Sequence, residues 1–383
     1  MRTAQETAGG TARLWPSPGF ASWLAATGGS LAFSTYQSER LFLLGLDADG
    51  SLLGVERVVG AAMGLAVERD GLWVASRGQI WRFANIGPAR VGGIDHDAVY
   101  SPRSGTITGP CDIHDILAGA RLGERPFELL FANTLFNCVA TIDRNANFVP
   151  VWKPPFISGL SPEDRCHLNG LCARDGRLTY VTCCAPSDAP GGWRRDGSAH
   201  GLLLDVASGE SVAGDLCMPH SPRWRDDRVW LVNSGLGEFG FVIPGTGKFE
   251  PICACPGFAR GLTLVGGFAI IGLSTLRASD ALRRLPLAER LNARGLAPRC
   301  GLLVVDLATG SVAHWLTITG VVSELYDVAF IPGIRAPFTA GFSAALEDQA
   351  RMLIPASTGF PLQPPHPKSA EPALPFRHEG IEA

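Results

Sequence analysis

Short apolar runs recur along nearly the whole chain, each bounded by Gly, Asp or Ser. In Arg69-Asp70-Gly71-Leu72-Trp73-Val74 and Arg174-Asp175-Gly176-Arg177-Leu178 a polar turn leads directly into the next apolar run. Runs this short, closed by turn residues, predict β-hairpins rather than helices. The first set shows the plan. Strands are expected over 23–26, 31–36, 40–46 and 52–59, separated by turns at Gly28-Gly29 and Asp47-Ala48-Asp49-Gly50. Comparable sets follow over 64–83, 170–206 and 222–243. Four short strands joined by tight turns make one antiparallel blade.

Seven segments open these sets in a similar way: Ser22-Trp23-Leu24-Ala25, Met63-Gly64-Leu65-Ala66, His114-Asp115-Ile116, Asn169-Gly170-Leu171, His220-Ser221-Pro222, Arg260-Gly261-Leu262 and Tyr326-Asp327-Val328. From Met63 onward they return about every 50 residues, the period of a radial β-architecture. The pattern predicts an all-β fold, a β-propeller of four-stranded antiparallel blades. Seven openings favour seven blades, with residues 11–20 pairing beside the C-terminal strands to close the ring. Six blades plus an extra strand is the alternative. A helical insertion is expected near 278–295, with Leu282, Leu285 and Leu291 on one face. The expected organisation is an N-terminal segment over 1–19, one propeller domain over 20–354 and a proline-rich, extended tail over 355–383.

The composition is 46% hydrophobic and 18% charged, with a formal net charge of −3. That balance gives no electrostatic reason to expect a nucleic acid or an anionic membrane as partner. Residues 1–10 are polar and lack the apolar core of a signal peptide. The most apolar stretch, 261–276, is too short for a bilayer span and is broken at Gly266-Gly267. Ten cysteines are too few for a disulfide scaffold, and neither Cys183-Cys184 nor Cys253-Ala254-Cys255 has zinc-type spacing. They read as reduced packing residues of a cytoplasmic protein. Cys111, Cys166 and Cys217 each lie close to a histidine in sequence, which leaves soft-metal ligation open beside strand packing. No nucleophile elbow, phosphate loop, HExxH or dinucleotide fingerprint is present.

In a propeller the inner strands all start on one face, and each second strand ends on that same face. Met63, His114, His167, Asn169, His220, Arg260, Glu324, Tyr326 and Asp327 are placed at inner-strand starts. Tyr36, Arg77, Asn133, Asn233, Ser274 and Arg277 are placed at second-strand ends. Three histidines from successive blades have the chemistry of a site for one divalent transition metal (zinc, iron or copper), with positions left open. His114 and His220 share a repeat position. His167 precedes its equivalent, Asn169, by two residues, which keeps it on the same side of a strand.

Arg260 is expected either to pair with Asp327, Asp112 or Asp115, or to bind an anionic substrate group. Asn169, Arg223, Asn133, Asn233 and Met63 are the other candidate substrate contacts. Tyr326, Glu324 and Asp327 are the candidate acid/base or orienting groups. The pattern fits a metal-dependent enzyme acting on a small or peptidic substrate with an anionic group, by lyase, hydrolase or oxidative chemistry. The alternative is a non-catalytic propeller that binds a protein or peptide partner, its histidines tying blades together.

The motifs Phe131-Ala132-Asn133-Thr134, Glu163-Asp164-Arg165-Cys166-His167-Leu168-Asn169-Gly170, Met218-Pro219-His220-Ser221-Pro222-Arg223, Asn233-Ser234-Gly235 and Glu324-Leu325-Tyr326-Asp327-Val328 carry a resemblance. They are similar to a bacterial family of conserved hypothetical proteins, a domain of unknown function, over roughly 20–335. The resemblance implies a propeller with a single site and no particular activity. Met218-Pro219-His220 is also similar in form to the peptidyl-amidoglycolate lyase propeller, which holds zinc with three channel histidines, one of them preceded two residues earlier by methionine. That likeness is one short motif, an analogy at the level of the fold.

Overall fold

The computed structural model describes residues 11–194, 199–276 and 285–340. Residues 1–10, Arg277, the first part of the helical insertion (278–284) and the proline-rich tail (355–383) lie outside the described residues. The apolar runs fold as antiparallel strands that assemble into six blades around a central axis. From the axis outward, blade 1 is Val328–Pro332, Gly29–Thr35, Arg40–Leu46 and Leu52–Val58. Blade 2 is Leu65–Glu68, Gly71–Ala75, Gln79–Asn85 and Ala98–Ile107, with Pro337–Thr339 added parallel at its outer edge. The inner strands of blades 3 to 6 are Ile113–Ala118, Leu168–Arg174, Pro219–Arg225 and Phe258–Val265.

The six-bladed of the two sequence readings is the one the protein adopts, and the count of seven is corrected. Ser22-Trp23-Leu24-Ala25 lies in the helix Phe20–Thr27 instead of opening a blade, with Phe20, Trp23 and Leu24 buried. The innermost strand of blade 1 comes instead from the other end of the chain, where Val328–Pro332 pairs antiparallel with Gly29–Thr35. The last opening thus supplies the inner strand of blade 1, and the first opens none. Ala12–Pro16 pairs with Val312–Gly320 as the outermost strand of blade 6, so both ends of the fold stitch the ring closed.

Hydrophobic clusters fill the spaces between neighbouring blades. One joins Leu41 and Leu43 of blade 1 to Leu72, Val74 and Phe83 of blade 2; another joins Trp230 and Val232 of blade 5 to Leu262 and Ile271 of blade 6. Each such side chain contributes about 1.5–3 kcal/mol on burial. Among the described residues no helix is long and apolar enough to cross a membrane.

At the axis the repeat becomes a close-packing device. The second position of the six openings alternates around the ring as Gly64, Asp115, Gly170, Ser221, Gly261 and Asp327. The oxygen-bearing residues reach forward to the next blade. Asp327 accepts from the Leu65 N–H, Asp115 from the Leu171 N–H and Ser221 Oγ from the Gly261 N–H. The glycines make room for that approach. A Cβ on Gly170 would lie 2.3 Å from Pro222, and one on Gly261, at φ +79°, 2.7 Å from the Asp327 Cα.

Arg223 crosses this layer. Its guanidinium bonds Asp115 at 2.8 Å and lies 3.8 Å from Asp327. It also donates to the carbonyls of Leu171 and Leu262, so it engages blades 1, 3, 4 and 6 from its own place on blade 5. Arg223 was expected among substrate contacts; its donors are instead committed to the ring itself. Burial disfavours its charge, yet Asp115 and Asp327 outweigh that and hold it above the usual range. Burial and the Asp115 carboxylate raise Asp327, against the pull of Arg223.

Replacing Arg223 strands two buried carboxylates together. We expect Arg223→Leu to cost about 3–5 kcal/mol in urea unfolding, with Arg223→Lys recovering only part, because a lysine lacks the fork that spans these partners. A loss below about 1 kcal/mol, the range of a surface pair, would contradict a central role.

Candidate metal centre

The first position of each opening, one residue before the packing position, lies at the mouth of the axis. Blades 2 to 6 and then 1 supply Met63, His114, Asn169, His220, Arg260 and Tyr326. Inner strands 3, 4, 5 and 6 each carry a one-residue bulge at this point, between Ile113 and Ile116, Leu168 and Gly170, His220 and Arg223, and Ala259 and Leu262. Successive side chains along a strand point to opposite sides, so His114 can serve the mouth while Asp115 serves the ring.

Ligand atoms of His114, His167 and His220 all lie within 4.8 Å of one another. The His114 ring is 4.7 Å from that of His167 and 6.0 Å from that of His220, centroid to centroid. His114 and His220 are held by the same local device. Asp112 and Met218, each two residues earlier, adopt left-handed backbone at φ 51°, and each turns its carbonyl onto the histidine Nδ1 at 2.8 Å. A hydroxyl at the end of the neighbouring second strand completes the hold, Thr134 at 2.9 Å and Ser234 at 3.0 Å. Met218 therefore contributes a backbone carbonyl, and Asp112 does the same for His114.

These contacts fix the tautomer. A carbonyl can only accept, and each hydroxyl already donates its proton to the next blade, Thr134 to the Leu168 carbonyl and Ser234 to the Ala259 carbonyl, both at 2.6 Å. Nδ1 must therefore carry the hydrogen, leaving Nε2 with a lone pair. His167 also uses its Nδ1 as a donor, by a different route. Its backbone is left-handed, at φ 54°, and its Nδ1 donates to Asp164 at 2.9 Å. The second Asp164 oxygen accepts from Trp193 Nε1 at 2.8 Å and pairs with Arg194 at 2.9 Å, while the Trp193 ring stacks on His167 at 4.1 Å. Burial opposes the Asp164 charge, but His167, Trp193 and Arg194 together hold it below the usual carboxylate range.

One ring nitrogen from each histidine thus converges with the others, and Nε2 of His220 is buried without a hydrogen-bond partner. An orphaned buried acceptor is costly. A cation held by three imidazole nitrogens removes that cost, with the carbonyl, hydroxyl and carboxylate contacts acting as the outer hold typical of metal-bound histidine. The residues fit the group.

The other candidates divide into two sets. Tyr326 is in the site, its ring 5.1 Å from His114. Arg260 lies over that ring at 4.6 Å and 5.2 Å from the Phe258 ring, and it pairs at 3.3 Å with Glu324 rather than with the expected Asp112, Asp115 or Asp327. Asn169 is committed inside blade 4, accepting from Thr182 at 2.7 Å and donating to Cys184 Sγ at 3.4 Å. Asn133 and Asn233 accept from the Phe136 and Cys217 N–H groups. Met63 is buried in the cluster that contains Tyr326 and Trp73, and Asp327 belongs to the packing layer with Arg223. Asp164, Thr134, Ser234 and Trp193 were not singled out. The paired strings Asn133-Thr134 and Asn233-Ser234, each following a histidine opening, were the signal that could have found the two hydroxyls.

Burial, reinforced by the positive charge of Arg260 and by neighbouring histidines, holds His114 and His220 well below the ordinary imidazole range. The unfolded chain takes up protons on these rings near pH 6.5 while the folded chain does not, so stability is lost as pH falls through that region. We expect the urea midpoint of metal-free protein to drop from about pH 7 to about pH 5, each histidine adding up to about 1.4 kcal/mol per pH unit. His114→Gln/His220→Gln should flatten the profile. An equal slope in wild type and variant would contradict neutral burial.

Three comparisons place the chain among known proteins. The "Crystal structure of Nidogen/Laminin Complex" holds a chain 11% identical to this one, with a TM-score of 0.45, covering 79% of this chain and 98% of that one. The computationally designed Ika8 protein is 12% identical with a TM-score of 0.33, covering 82% and 77% respectively. Comparison with curated proteins finds no match. A family model does match, over residues 18–340, and this span contains every residue of the metal centre. The chain belongs to the family described as Domain of unknown function (DUF4915).

Proposed function

We propose that the protein is a metal-dependent enzyme whose centre is one divalent transition metal held by Nε2 of His114, His167 and His220. Zinc, iron and copper all suit three imidazole donors. The observation that carries this reading is the matched protonation of the three rings: each Nδ1 is occupied as a donor, and the buried Nε2 of His220 has no partner. When bound, such an ion supplies Lewis acidity and a nucleophile near neutral pH.

The substrate is a small or peptidic molecule with an anionic group, and the chemistry is of the lyase, hydrolase or oxidative type. Arg260 attracts that group electrostatically while Glu324 holds the guanidinium in place. Tyr326, packed between Arg260 and His114, orients the substrate or passes it a proton. Trp193 shields His167 from water on one side. The reading in which the histidines only tie blades together is less well supported. The ties run through the Thr134 and Ser234 hydroxyls, and the Nε2 atoms take no part in them.

Elemental analysis of purified protein is expected to find close to one transition metal per chain. His220→Ala should abolish it while the circular-dichroism spectrum of the propeller persists. Metal-free wild type, destabilised by the same substitution, would count against the proposal. Thr134→Val and Asp164→Asn leave the ligands in place but disturb Nδ1, and each should weaken metal affinity about 10–100-fold in a chelator competition. Unchanged affinity in both would remove the assigned role of those contacts.

A further inference from the structure

The surroundings of the histidines are lopsided. Second and third strands are joined by tight turns in blades 1, 2, 3 and 5, but by residues 184–200 in blade 4 and 275–300 in blade 6. Described parts of both long connections pack above blade 5. Trp193 comes from the first and Leu276, Leu285, Leu287 and Leu291 from the second, gathered on Cys217 and Met218. Among the described residues the centre is therefore covered over blades 4 to 6 and left open over blades 1 to 3. His114, on blade 3, is the one ligand of the three that is not fully buried.

That open side carries a ribbon of alternating rings and guanidinium groups. Arg77 lies 6.0 Å from the Tyr36 ring, Tyr36 lies 6.0 Å from Tyr326, and Tyr326 borders both His114 and Arg260. The two arginines differ in what holds them. Arg260 and Glu324 are only 11% and 6% exposed, and taking apart a buried pair leaves a stranded charge. Arg77 and Glu39 pair at 3.5 Å with 66% and 48% exposure. A pair of that kind holds weakly, so an incoming carboxylate can displace Glu39 and take the planar guanidinium two-pronged.

We propose that the described surface over blades 1 to 3 binds an extended dicarboxylate, with one end at the histidine centre, the body along Tyr326 and Tyr36, and the second carboxylate on Arg77. The inner end of this assignment rests on the metal-centre reading. The outer end rests on Arg77 and Tyr36 alone. Arg77 thereby becomes a specificity residue that selects substrates by a second, distant charge, whereas Arg260 acts close to the reacting end.

The test is calorimetric titration of the full-length, metal-loaded protein with α,ω-dicarboxylates from glutarate to azelate, each against the monocarboxylate of equal length. At least one dicarboxylate should bind about ten-fold or more tightly than its monocarboxylate, the scale of one charge-assisted contact. Arg77→Gln should abolish that advantage while leaving monocarboxylate binding and metal content at wild-type levels. Glu39→Gln should preserve or increase it. An advantage untouched by Arg77→Gln overturns the proposal. So does the lack of any advantage in protein shown by elemental analysis to carry its metal. Protein that takes up no metal overturns the metal-centre reading, and the dicarboxylate proposal with it.

Discussion

Everything at the axis depends on how closely six inner strands must pass one another. Glycine at the packing position of blades 2, 4 and 6 lets blades 3, 5 and 1 approach to contact distance, and across the alternate interfaces Asp115, Ser221 and Asp327 bond the backbone of blades 4, 6 and 2. Arg223 then neutralises much of the charge that two buried aspartates bring with them. The arrangement is self-consistent. A larger residue at the glycines would push the strands apart, and a longer gap would leave the backbone N–H groups unpaired in the interior.

The same constraint produces the three-histidine cluster as a by-product of geometry. If the packing position is fixed in every blade, the residue before it is fixed at the mouth in every blade. Its side chain is then free to vary without disturbing the ring. His114 and His220 exploit this freedom with one device used twice, a left-handed residue two positions earlier and a hydroxyl from the adjacent strand end. Blade 4 uses its first position differently. Asn169 is turned to Thr182 and Cys184, and the ligand comes from the approach to the strand, where a left-handed His167 is clamped by Asp164 and Trp193.

How much of this is legible in the sequence follows from which contacts are local. The repeat and its first positions are local, so the propeller, the three histidines and the nearness of Tyr326 and Arg260 could be read from spacing. The blade count is not. Trp23-Leu24-Ala25 has the same short apolar pattern whether it forms a strand or the buried face of a helix, and only the distant Val328–Pro332 decides that the inner strand of blade 1 comes from elsewhere. The arginine partners were likewise hidden. Only the assembled ring shows that Arg223 rather than Arg260 meets Asp115 and Asp327, because that contact spans more than a hundred residues of chain. Asp164 escaped notice because its contact with His167, three residues on, depends on the left-handed backbone at both residues and on Trp193 and Arg194 further along the chain.

Charge is layered along the axis in a way that suits neutral ligands. Beneath the histidines, Asp115 and Asp327 share the single guanidinium of Arg223, so the packing layer favours positive charge above it whenever both carboxylates are ionised. Beside the histidines stands Arg260, whose charge discourages protonation of the rings and so keeps their lone pairs available. Left alone, that guanidinium would also repel a cation. Glu324, paired with it at 3.3 Å, offsets part of its field at short range, and the rings of Tyr326 and Phe258 flank it, so the ion pair that tempers this repulsion also fixes where the guanidinium stands beside the histidines.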